Sequence, residues 1–212
     1  MLTTFLIAVL GIALAAVLYK MFKSTPKPAL AEAPARPALG SSADLWSAKP
    51  GDVISIVGAA ADFSDLDFTV DRRSAYDANG RRWTDLSGDF RGDRVYLEVH
   101  RGADVEVMGL LDPRKLTLVD VGLSEDRLAQ LDQAQDPSQT IGFEGKLWSY
   151  DSSHEIGYFE NEQGEGEGLY RWLFREPNGT RFLCIEKWEG QPFDVRLAVR
   201  VKPSDITVFR AA

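Results

Sequence analysis

The alternation of apolar and polar positions changes character twice along this chain. From Leu2 to Tyr19, 18 residues carry neither charge nor proline. At about 1.5 Å per residue such a run makes a helix of roughly 27 Å, close to the thickness of a hydrocarbon core. Lys20 is placed to snorkel to the interface, and Tyr19 to join the aromatic belt. Residues 24–43 are rich in Ala and Ser and carry Pro26, Pro28, Pro34 and Pro37, which favour an extended, semi-stiff spacer. Beyond them the period becomes two. Val53–Val57, Val95–Val99, Val105–Met108, Arg181–Glu186, Val195–Val201 and Ile206–Phe209 read as antiparallel strands with one face buried. Asn79-Gly80 and Asn178-Gly179 are tight-turn signals. One helix interrupts the strands: Ser124 can cap it, Glu125 and Asp126 suit its N-terminal dipole, Leu123 and Leu128 fit a hydrophobic staple, and Pro137 marks its end.

The segments on either side of this helix resemble each other. Arg82-Trp83, Arg94–Glu98 and Asp104–Val107 recur as Arg171-Trp172, Arg181–Glu186 and Asp194–Leu197, and Leu116–Val119 recurs as Ile206–Phe209. A constant order of landmarks points to a diverged duplication. The expected architecture is therefore mainly β: a transmembrane anchor (1–23), a linker (24–43), a first antiparallel β unit (44–122), a connecting helix (123–137) and a similar second β unit (138–212).

Charge sharpens this picture. Residues 1–43 hold Lys20, Lys23, Lys27 and Arg36 against Glu32 alone, which leaves 20 basic and 31 acidic residues in the remainder. A domain that acidic disfavours nucleic acid and anionic headgroups as main ligands. The basic residues all follow the apolar run, so the positive-inside rule puts the soluble part on the cytoplasmic face of the inner membrane. A cleaved signal peptide is the competing reading. It is disfavoured because Met1–Phe5 has no basic residue and Ala29-Leu30-Ala31, the nearest small-x-small site, lies beyond lysines and prolines. A single cysteine, Cys184, excludes an internal disulfide and a multi-Cys zinc site.

The chemistry-bearing residues concentrate in the second half. Trp148, Tyr170, Trp172 and Trp188, with Glu155 and Glu186 nearby, are the candidate ligand-binding set, although aromatic residues on strands more often build core. The loop Gly164–Gly168 offers Glu165 and Glu167 to a cation, but it lacks the spacing of a calcium loop. Asp151-Ser152-Ser153-His154 has the residue types of a triad, yet adjacency in a turn is not triad geometry. No catalytic residue, metal site or cofactor is expected.

The run from Gly145 to Phe209, with Trp148, Ser152, Glu155, Gly157-Tyr158, Gly166-Glu167-Gly168, Tyr170-Arg171-Trp172 and Glu186–Gly190, resembles the bacterial family known as domain of unknown function 4178. Lys49–Asp52 through Trp83 to Leu97 is more loosely similar to the opening of that family. The resemblance implies a mainly β protein with no established activity, from a gene neighbourhood of flotillin-like and polyamine-synthesis proteins. Together these readings favour a non-catalytic adaptor tethered to the membrane, its β units binding a protein partner. The alternative is a module that binds a small ligand such as a polyamine, and a hydrolase or metalloenzyme ranks behind both.

Overall fold

The computed structural model describes residues 45–211. The expected anchor (1–23) and linker (24–43) lie outside the described residues, and among the described residues no helix is long and apolar enough to cross a membrane. Among the described residues, twelve strands and one complete α-helix follow one another. In order these are β1 (Val53–Ile56), β2 (Leu66–Thr69), β3 (Arg72–Ala78), β4 (Arg81–Phe90), β5 (Asp93–Arg101) and β6 (Val105–Leu110). Helix α1 (Glu125–Ala134) follows, then β7 (Thr140–Phe143), β8 (Lys146–Phe159), β9 (Glu167–Arg175), β10 (Arg181–Trp188), β11 (Phe193–Val201) and β12 (Ile206–Phe209).

Two four-stranded meanders, β3-β4-β5-β6 and β8-β9-β10-β11, close on each other. β6 pairs with β11 through Val107↔Val201, and β3 pairs with β8 through Tyr76↔Tyr158, so eight antiparallel strands form a barrel. The barrel takes four strands from either side of α1, while β1, β2, β7 and β12 lie outside it. The paired landmarks fall on the second, third and fourth strands of each meander. β7 extends the sheet beyond the first part of β8, while β1 joins β12 and β2 in a separate three-stranded sheet. Leu116–Val119, matched in sequence to β12, forms no strand; Leu116 makes only an isolated bridge to Val195.

The barrel turns its apolar side outward. Along β5, Val95, Leu97 and Val99 pack under the small sheet with Ile54, Ile56, Leu66 and Phe68. On the other half, Trp148, Tyr150, Phe174, Leu183 and Ile185 pack beneath α1, β7 and the segment carrying Val121 and Leu123. Each outer layer removes large apolar surface from water, which supplies most of the driving force for closure. The helix forms for the reasons legible in its sequence: Ser124 Oγ accepts from the Arg127 N–H at 3.2 Å, and Leu128 and Leu131 are buried. It ends where Gln135 turns left-handed at φ 46°, two residues before Pro137. Asn79 and Gly80, at φ 53° and 77°, supply the consecutive left-handed residues that a two-residue turn between β3 and β4 needs.

Gly88 sets how closely the small sheet approaches the barrel. A Cβ at that position would collide with the Thr69 carbonyl oxygen and the Phe68 ring. Backbone cannot yield as a side-chain tip can. Gly88→Ala is therefore expected to lower the free energy of unfolding by about 1–3 kcal/mol, measurable by urea denaturation.

Candidate functional site

With both outer faces claimed by apolar packing, the polar positions of the strands point into the barrel. Two cross-strand pairs make a charged layer at mid-height. In the first meander Asp85 lies opposite Glu98, and in the second Arg171 lies opposite Glu186. All four are at least nine-tenths buried. The Arg171 guanidinium is fully engaged: Nη1 and Nη2 donate to the two Glu98 oxygens at 3.1 and 2.7 Å, and Nε and Nη2 donate to Glu186 Oε1 at 2.9 and 2.5 Å. Tyr76 and Trp83 stack with centroids 5.5 Å apart, and Arg171 stands over both rings at 4.9 and 5.7 Å. Bidentate geometry and flat rings suit an arginine where a lysine would not.

One guanidinium faces three carboxyls, and their environments separate them. Burial by itself would raise the Glu98 pKa, but the Arg171 charge and then His100, at 3.5 Å, override it and hold the carboxyl at about 2. Asp85 has weaker help: the Arg171 and Arg72 charges pull its pKa down without overcoming burial. Among the described residues its carboxyl takes part in no hydrogen bond and no ion pair. Burial, and next the neighbouring Glu98 charge, push it up to about 8. An empty site therefore holds Asp85 protonated at neutral pH, with its carboxyl on a cavity wall.

A cavity opens on each side of this layer. The narrower, of about 350 Å³, is reached at the end where β4 finishes and β5 begins. Asp85 and Glu186 lie at its inner end, and Glu160 and Glu167 belong to its rim. Tyr76, Tyr96, Tyr158 and Trp188 supply aromatic wall. Its two arginines each have a carboxylate partner: Arg72 pairs with Glu160 at 3.3 Å, its buried Nε remaining without a hydrogen bond, and Arg196 pairs with Asp194, its guanidinium also over the Tyr96 ring at 4.6 Å. The wider cavity, of about 760 Å³, lies at the opposite end and has the reverse polarity, with six arginines against three carboxylates and both histidines in its wall. Burial and then the Arg171 charge hold the His154 pKa below its ordinary value, so its imidazole is neutral at pH 7.

The six residues singled out from the sequence do not share one site. Glu186 and Trp188 face the narrow cavity, where Trp188 packs edge-on against Tyr158 at 5.3 Å. Trp148 is fully buried outside the barrel, its indole N–H donating to the Phe143 carbonyl at 3.0 Å. Trp172 and Tyr170 also face outward, 4.6 Å apart, and the Tyr170 hydroxyl donates to Asp132 of α1. Glu155 is exposed on the outer side of β8. Asp151–His154 lies inside a strand and not in a turn; Ser152 and His154 face the wide cavity, while Ser153 faces out to Tyr150 and Asp132. Among the described residues no group of three His, Cys, Asp or Glu side chains is arranged to hold a metal.

Sequence reasoning passed over Asp85 and treated Arg171 as a repeat landmark and as part of the family motif. A signal existed in the pair Glu98 and Glu186, which sit at matched positions 88 residues apart. The Arg-Trp landmark runs at 89, one residue out of step with that pair, and Trp83 points into the barrel whereas Trp172 points out.

Residues 56–203 match the family described as domain of unknown function (DUF4178). No curated protein and no solved structure is similar to the chain.

Proposed function

The chain belongs to the domain of unknown function 4178 family, and we propose that its barrel is a non-catalytic module that binds a small organic amine, with the ammonium group on Asp85. The observation that carries this reading is a carboxyl buried in the barrel that no side chain bonds directly, the nearby Arg171 being spent on Glu98 and Glu186. Burying such a group unpaired is costly, and an entering cation removes the cost. The walls suit the same guest. Tyr76, Tyr96, Tyr158 and Trp188 present ring surface to an ammonium group and its methylenes. Glu167 on the rim can receive a second ammonium beside the Arg72–Glu160 pair, which makes a diamine or polyamine the fitting class. Carried on the tether expected of residues 2–19, the module would serve as an accessory protein at the membrane face, signalling amine occupancy to a protein partner.

The reading fixes a pH signature. The groups around Asp85 are Glu98, Glu186, Arg171 and Arg72, and with them the empty carboxyl titrates at about 8. An ammonium ion favours the ionised form, so binding at pH 7 expels close to one proton. Affinity rises as pH climbs toward 8 and levels off above it. Calorimetric titration of putrescine in buffers of different ionisation enthalpy measures that proton directly. Asp85→Asn is expected to abolish the release and weaken binding by about 10–100-fold, the worth of a charged hydrogen bond. Equal affinity in the variant would remove Asp85 from the site and the proposal with it.

A further inference from the structure

We infer that the wide end of the barrel is a second, separate site, one that takes a soluble small molecule through a phosphate-type oxyanion. The domain as a whole is strongly acidic, yet this mouth gathers arginines. Charge of one sign collected in a cleft with low-dielectric walls concentrates ligands of the other sign. The positive charge is also available. Arg175 is shared with Asp151 at 3.6 Å, but Arg101 and Arg200 meet no carboxylate among the described residues. Arg200 rests on the Phe182 ring at 5.7 Å within the cavity wall, whereas the Arg101 guanidinium lies over Trp46 of the outer layer at 5.6 Å. A guanidinium laid on a ring keeps its N–H fork free in the ring plane, the geometry that grips two oxygens of one oxyanion.

Inside the cavity a donor is also unspent. Trp83 lines the wall, is 6% exposed, and its indole N–H has no hydrogen-bond partner. A buried N–H left unpaired costs free energy, which an acceptor brought by a ligand recovers. His154, neutral for the reasons given above, offers a further N–H without demanding a counter-ion. At about 760 Å³ the space falls within the range of small-molecule pockets, and it is enclosed by barrel wall. Those dimensions favour a free phosphorylated or polyphosphate compound over a headgroup held in a bilayer. The charged layer of Arg171 and Glu98 stands between this cavity and Asp85, so the two sites have separate lining.

The test is a titration of the purified full chain with inorganic pyrophosphate, followed by the indole ¹⁵N–¹H resonance of Trp83, which Trp83→Phe identifies. The expected result is saturable binding with a downfield shift of that one resonance. Arg175→Gln with Arg200→Gln should weaken it by about tenfold or more while the fold, read by the remaining indole resonances, is unchanged. Asp85→Asn should leave pyrophosphate binding as it was, which separates this site from the amine site. The inference is overturned if the Trp83 resonance does not move, if the shift grows linearly without saturation, or if the double variant binds as tightly as the parent. It is equally overturned if the chain binds phosphatidate vesicles and ignores pyrophosphate.

Discussion

Replacing Arg171 with methionine should cost about 3–5 kcal/mol of stability at pH 7, the range for breaking a buried ion pair from one side. The change removes the guanidinium bonded to both Glu98 and Glu186, which remain enclosed with Asp85. It also reverses a pH trend. In the parent, Glu98 titrates at about 2, below its ordinary 4.5, so its contribution is complete above pH 4.5 and lost as pH falls toward 2. Without Arg171, burial dominates, the Glu98 pKa rises, and the variant loses stability as pH rises instead. Urea denaturation of parent and variant across that range measures both effects. If lost packing were the whole cause, the deficit would be independent of pH. Adding Glu98→Gln and Glu186→Gln to the variant should restore much of the loss, because the uncompensated charges are then gone.

Asp85→Asn should act in the opposite direction and stabilise the protein. A carboxyl whose folded pKa of about 8 exceeds its ordinary 3.8 binds an extra proton in the folded state throughout the interval between them. The parent therefore loses stability as pH rises through that window, by up to about 1.4 kcal/mol per unit. Asparagine keeps the shape and carries no titration. The two proteins should match near pH 4 and diverge steadily, until the variant leads by about 5 kcal/mol at pH 8. Parallel stability curves would mean that Asp85 ionises freely in the folded chain. A residue that lowers stability and serves no packing purpose is the expected mark of a binding group, which is why the gain in stability and the loss of amine binding belong together.

The sequence revealed the strands better than it revealed what they enclose. Val95, Leu97 and Val99 alternate with Tyr96, Glu98 and His100, and the strand follows directly from that pattern. The default reading sends the polar set to solvent. Here a second sheet covers the apolar set and the barrel wall covers the polar one, so Glu98 is 2% exposed. Nothing in a period of two distinguishes water from a polar interior. The same inversion hid β8, whose inward residues Ser152 and His154 look like loop and whose register slips at a bulge between Tyr150 and Ser152. The aromatic candidates failed to converge for a related reason. Trp148, Tyr170 and Trp172 share the outer face of their strands with the core beneath α1, whereas Trp188 lies on the inner face. Helix α1 was legible to its cap because capping is local chemistry. Closure of the barrel depends on the β3–β8 and β6–β11 pairings, between segments far apart in the chain, and these leave no local trace.

The carboxyl ¹³C resonance of Asp85, followed through a pH titration with and without putrescine, addresses the amine site without an intermediary. An empty barrel should titrate near pH 8, and saturating amine should move that midpoint down by more than a unit. A midpoint near 4 in the empty protein, or one near 8 that the amine leaves unmoved, would contradict an ammonium site at Asp85.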